Sequence, residues 1–381
     1  MNIDELRSRL RRYQGFLQQD PSNIKLISDV ADLHLQLGEF EQARGLLEKA
    51  LTQWPSQPSL LSGLASVAMA DGEPDVAIRL LNNILEMEQD NPVIYYNLAY
   101  AYLYSDQPDN AKQALVKIKD SKSVFPQIPL LLARAQHHLG EMDEAIEHAQ
   151  EYLNDHPDDP DAFGVLALLY FDLENKAQAQ LMAEKALSLD ENNLNALVTL
   201  GSLALTTDTA DVAAGYFERA IARQPKNGRG WSGMGLADML RLNLPKAIED
   251  LKQAVKYMPS HIGTWHSLAW CQLLTDDLQG AEENFMQSMK IDHNFAETHG
   301  GLAVVHIMQG RPDLAEAEVK RAIRLNPNSF AGRYAKSLLM SKADPEKAQE
   351  IIKNILASSP TGKEESLQAM LQRIMKKKSF G

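Results

Sequence analysis

Residues 262–295 read IGTWHSLAWCQLLTDDLQGAEENFMQSMKIDHNF, and three of them, Leu268, Ala269 and Ala281, decide the fold because each recurs along the chain. Ala281 belongs to the series Ala43, Ala77, Ala111, Ala145, Ala179, Ala213, Ala247, Ala281 and Ala315, with 34 residues between neighbours. Twelve positions before each stands a second small residue, from Ala31, Ala65, Ala99, Ala133 and Ala167 through Gly201 and Gly235 to Ala269 and Ala303. One position earlier again comes Val30, Leu64, Leu98, Leu132, Leu166, Leu200, Met234, Leu268 or Leu302. Nine registers match without an insertion, the mark of a repeat architecture.

The spacing predicts a hairpin of two helices per repeat, with small residues where the backbones come closest and larger apolar residues filling the space around them. Turn signals such as Leu37-Gly38-Glu39, Leu139-Gly140-Glu141 and Gln309-Gly310-Arg311 separate the two helices, glycine suiting a left-handed helix end. Pro55, Pro157, Pro225, Pro259 and Pro327 stop the second helix at equivalent places.

This pattern resembles the tetratricopeptide repeat, matched at its small-residue and turn positions in nine units over residues 24–329. The aromatic fourth position is kept as Tyr95, Phe163, Trp231 and Trp265 and replaced by Ile27, Leu61, Pro129, Leu197 and His299. The resemblance implies an all-α fold, an α-solenoid wound as a right-handed superhelix of tandem antiparallel helix hairpins. Residues 1–23 are expected to form a capping helix, with Leu6, Leu10, Tyr13 and Leu17 at helical spacing. Residues 330–358 are expected to form a degenerate tenth unit containing Ala348, and 359–381 an amphipathic helix with a basic tail, Lys376-Lys377-Lys378. The stretch from Lys119 to Pro126 is irregular, and the unbroken register predicts a looser turn there and no domain boundary.

Composition narrows the function. Hydrophobic residues make up 44% and charged residues 23%, as in ordinary globular proteins. The apolar runs are too short for a membrane span of about 20 residues, and the acidic start lacks the pattern of a secretory leader, so the expected compartment is the cytoplasm. The lone Cys271 excludes an intramolecular disulfide and reads as a buried apolar side chain. A net charge of -13 argues against a nucleic-acid partner, which needs clustered Lys and Arg.

No metalloprotease helix motif, phosphate-binding loop or dinucleotide fingerprint occurs. His299 and His306 share a helix face and would need His266 or His293 to complete a metal site, and His137 and His138 point in different directions. The chain is therefore read as non-enzymatic, with no cofactor.

In the resembled family the first helices line a concave surface, through the second, fifth, sixth, ninth, twelfth and thirteenth positions of each unit. Carried onto this chain, the third unit supplies Tyr96, Asn97, Tyr100 and Tyr104, and the fourth Arg134, His137 and His138. Units seven to nine supply Leu236, Leu240, His266, Trp270, Leu274, Val304 and Met308, while Met239, Leu273 and Ile307 are open to a second reading as core. Gly233, Gly263, Gly300 and Gly301 are expected to leave room for a guest. Lys25, Arg134 and Arg229 oppose Asp29, Asp32, Asp161, Asp172 and Glu297, so the lining is nearly neutral. Of the family's clamp for a partner's terminal carboxylate only Asn97 is in place, and its ladder of inward asparagines is absent. The expected partner is a protein or peptide segment, apolar or amphipathic, held by an adaptor or chaperone-like scaffold with Trp270 at its centre. Self-association and service as a regulatory subunit are the alternatives.

Overall fold

The computed structural model describes residues 3–207, 209–341 and 343–357; the expected C-terminal amphipathic helix lies outside them. Every regular element among the described residues is a helix. The chain divides into two compact units, one ending at Val165 and one beginning at Leu166.

In the first unit α1 (Ile3–Gln19) packs on the hairpin of α2 (Ile24–Gln36) and α3 (Phe40–Leu51). Then come α4 (Pro58–Asp71) with α5 (Pro74–Met87), α6 (Pro92–Tyr104) with α7 (Pro108–Lys117), and α8 (Ile128–Leu139) with α9 (Met142–Asp155). The irregular stretch holds a 3-10 turn at Lys119–Ser121, and the division between units falls elsewhere, within α10 (Pro160–Asp172).

The second unit continues with α11 (Lys176–Leu189), α12 (Leu194–Thr206), α13 (Ala210–Arg223), α14 (Gly228–Leu240), α15 (Leu244–Tyr257), α16 (Ile262–Leu274) and α17 (Leu278–Ile291). It then adds α18 (Ala296–Met308), α19 (Pro312–Leu325), α20 (Phe330–Met340) and α21 (Pro345–Ala357). Neighbouring first helices touch: α2 meets α4 and α6 meets α8 in the first unit, and α12, α14, α16, α18 and α20 form a row in the second.

Three local causes set these elements. The nine alanines of the 43-to-315 series have no solvent exposure, so each marks a helix crossing where a longer side chain would overpack. Asn23, Asn193 and Asn227 cap first helices by accepting from the N–H of Leu26, Ala196 and Gly230, a contribution of about 1 kcal/mol each. Between first and second helix one residue takes the left-handed conformation, at Gly38, Gly72, Asp106, Gly140, Glu174, Leu242, Asp276 and Gly310, spaced by one 34-residue period except for the two periods between Glu174 and Leu242. Four of these eight are not glycine, so the turn signal is partly hidden in the sequence. Leu242, at φ 62, and Glu174, at φ 59, are costlier than the two aspartates, whose short polar side chains tolerate this backbone better.

Charge ties successive hairpins together within each unit. Arg44 meets Glu73 at 2.7 Å and Lys112 meets Glu141 at 2.6 Å, while Glu282 meets Arg311 at 2.7 Å with the signs exchanged. The three pairs occupy the same two repeat positions, 29 residues apart.

Candidate functional site

The repeat returns one first-helix side chain per hairpin to a shared face, and among the described residues these first helices touch one another in sequence, so this face can carry a site. In the second unit α14, α16 and α18 end on Leu240, Leu274 and Met308, three apolar residues at one repeat position on helices that touch in sequence. Leu240 and Leu274 are half-buried against the core, as is Leu236, whereas Met308 is 45% exposed. Leu240, Leu274 and Met308 thus form a row of one side chain per helix, exposed at its Met308 end, with Leu236 one turn earlier on α14.

Three residues expected in that lining belong to the core. Trp270 is 3% exposed, Val304 1% and His266 1%. The cause is the fit of α16 between α14 and α18 and over α17: the Trp270 ring stands perpendicular to Phe285 at 6.0 Å. The His266 ring is edge-on to Phe285 at 5.1 Å and to Phe295 at 5.7 Å. The Trp270 ring turns onto the second helix of its own hairpin instead of facing out. Met239 and Leu273 are core as well, and Ile307 is half-buried. Burial also raises the Cys271 thiol well above its usual range.

The glycines make room for the protein's own side chains. A Cβ on Gly233 would lie 2.2 Å from the Phe217 ring, and one on Gly301 would lie 2.4 Å from Phe285. Gly300 is pressed to within 2.3 Å, on the same measure, of the backbone nitrogen of Gly332 on α20, and Gly263 faces the imidazole of His261. No space for a guest remains at Gly233, Gly300 or Gly301. Glu297, counted among the groove charges, accepts from the N–H groups of Phe330 and Ala331 at 2.9 and 2.8 Å and so caps α20.

His299 is fully engaged with protein: Nδ1 lies 2.5 Å from Glu318 Oε2 and Nε2 lies 2.9 Å from the carbonyl of His293. His306 Nδ1 stands 4.0 Å from Glu282. The His299–His306 face is thus built into a polar network linking α17, α18 and α19.

The first unit presents a different surface. Tyr96 stacks on Phe125 at 4.7 Å, and the hydroxyls of Tyr96 and Tyr100 both donate to Gln127 Oε1, at 2.7 and 3.0 Å. Burial, chiefly, raises the Tyr96 hydroxyl above its ordinary range. Asn97 is half-buried, Tyr104 is 69% exposed, Arg134 approaches Asp161 at 3.9 Å, and exposed His138 approaches Asp106 at 3.8 Å. Tyr96 and Tyr100 are brought together, while Tyr104 and His138 stand one row further out, at the helix ends. Sequence reasoning passed over Phe125 and Gln127, because they lie in the irregular turn before α8, outside the repeat pattern.

Tetratricopeptide repeat family models match residues 29–92 and 165–228, 68–124, 130–159 and 296–321, together more than half of the chain. The chain belongs to the tetratricopeptide repeat family. This tetratricopeptide repeat protein is 27% identical over 117 residues, 30% of its length, to the general transcriptional corepressor trfA of Dictyostelium discoideum. It is 31% identical over 84 residues, 22% of its length, to the cell division cycle protein 27 homolog of Caenorhabditis elegans. The matches span only 8% and 11% of those relatives. A chain of the crystal structure of the APC/C hetero-tetramer Cut9–Hcn1 superposes with a TM-score of 0.64 at 17% identity, covering 89% of this chain and 66% of that one. That likeness shows the helix-hairpin solenoid fold. Protein interaction is the function class these findings support, and no described helix is long and apolar enough to cross a membrane.

Proposed function

We propose that this protein is a non-enzymatic cytoplasmic scaffold, adaptor or chaperone-like, that holds an apolar or amphipathic segment of a partner protein along Leu240, Leu274 and Met308. The observation that carries the reading is the row itself: three touching first helices end in apolar side chains at one repeat position, and the last is 45% exposed. An exposed apolar strip rimmed by polar residues is a common mark of a protein-binding surface. Met308 is flexible and polarizable, which suits more than one related guest. The names of the relatives, a general transcriptional corepressor and a cell division cycle protein, fit a chain that holds other proteins. Binding here draws on apolar burial at about 25 cal/mol per Å² and carries a negative heat-capacity change.

The test places a photoreactive benzophenone side chain at position 308 in the native host. Adducts should contain apolar or amphipathic peptides and vanish when Leu240 and Leu274 are both changed to Glu, with the helix content unchanged. Captured partners that bind the Leu240→Glu/Leu274→Glu/Met308→Glu variant as well as the parent would place the interface elsewhere.

A further inference from the structure

The helix preceding the first repeat carries charge that the fold does not use. Within α1, Arg7, Arg9, Arg11 and Arg12 are all exposed, and none meets a carboxylate among the described residues. Two of them gather on one flank: the Arg9 and Arg12 guanidinium carbons lie 5.2 and 5.7 Å from the centre of the Tyr13 ring. Phe16 stands 6.2 Å beyond Tyr13 and is 48% exposed. Elsewhere in the same unit Arg44 is held by Asp71 and Glu73, so unpaired guanidinium groups are not the rule even there. Arginines beside a half-buried Tyr13 and an exposed Phe16 have the composition of a protein interface, because the planar guanidinium is weakly hydrated and stacks as well as pairs.

The same unit holds the complementary surface. On α9 the acids Asp143, Glu147, Glu151 and Asp155 recur every four residues and so form one stripe, about 6 Å from each to the next. Asp143, Glu147 and Asp155 are exposed and meet no cation among the described residues, while Glu151 is paired with Lys122. The two helices are of similar length, 17 and 14 residues. In a chain of net charge -13, nonspecific contact between copies is repulsive, so a local match of opposite sign selects this contact over others.

We infer that this protein self-associates, the Arg9–Arg12–Tyr13–Phe16 flank of α1 in one copy docking on the Asp143–Glu147–Asp155 stripe of α9 in a second. Both surfaces lie in the first unit, so two copies can exchange the contact reciprocally and close a dimer. The inference is independent of the apolar row on α14, α16 and α18.

Sedimentation velocity of the full chain over a wide range of concentration tests it, at about 0.1 M salt, where the screening length is about 10 Å. The parent should form a dimer that raised salt dissociates. Arg9→Glu/Arg12→Glu alone and Asp143→Lys/Glu147→Lys alone should each be monomeric, and an equimolar mixture of the two should recover the dimer. Recovery also shows that both variants fold. A parent that stays monomeric throughout, a dimer indifferent to the arginine variant, or a mixture that fails to associate would each overturn the assignment. Monomeric parent that binds a polyglutamate peptide through Arg9 and Arg12 would give the surface to a foreign acidic segment instead.

Discussion

The ring of Phe217 on α13 rests on Gly233 of α14 so closely that a Cβ there would fall 2.2 Å from it. The same two positions trade volume in two further repeats. Phe285 faces Gly301, where a Cβ would fall 2.4 Å from the ring, and the shorter Leu47 faces Gly63, where a Cβ would stand 3.4 Å away. The larger the side chain on the second helix, the less room is left at the glycine, as close packing requires.

Gly233→Ala should therefore destabilise the chain by about 1–3 kcal/mol, since Phe217 is fully buried and has no room to yield. Adding Phe217→Leu to Gly233→Ala should recover part of the loss. Urea midpoints of the two single variants and the pair decide it: strictly additive losses would mean the residues do not share one space.

Leu242→Gly should raise stability by about 1 kcal/mol. The left-handed backbone at φ 62 strains leucine, and the side chain is 44% exposed, so its removal sacrifices little burial. A thermal midpoint that falls would show that Leu242 packs more strongly than its exposure indicates.

Acid sensitivity should trace in part to Glu318. Burial raises its carboxyl, but His299, Arg321 and His306 outweigh that, and the net direction is downward. A depressed folded value contributes stability that is fully present above the unfolded value of about 4.3 and is lost as pH falls through the folded one. Glu282, lowered by Gln309, Arg311 and His306 against its own burial, acts in the same sense. Asp250 acts oppositely: burial raises it, so its charged form costs stability near neutrality and acid relieves that cost. The Glu318→Gln variant should be less stable than the parent near neutral pH, and the gap should narrow below about pH 4. A gap constant across that range would remove Glu318 from the account.

The repeat was legible because it is enforced by sterics: an alanine that touches another helix cannot change, so Ala43 to Ala315 announce the hairpins. The left-handed turn was only half legible, since Asp106, Glu174, Leu242 and Asp276 adopt it without being glycine. The lining residues were harder. A position assigned outward by its place in the repeat can still turn inward, as Trp270 does by packing its ring against Phe285 on the second helix of the same hairpin. Glycines misled for the complementary reason, as their space was already claimed by Phe217 and Phe285. Charge complementarity between hairpins was invisible at one position at a time, and emerges only when Arg44 with Glu73 is set beside Glu282 with Arg311.

Those paired seams restrict how such a chain can evolve in length. Excising residues 228–261, one full period, would bring Phe217 opposite Ser267 in place of Gly233, a collision where there had been a fit. Duplicating residues 262–295 would set the first copy's Glu282 against Asp277 of the second, a like charge where Arg311 had stood. Although the nine repeats share one period, they are not interchangeable parts: the seams at Phe217 and Glu282 fit their own neighbours, and the order of those hairpins is itself encoded.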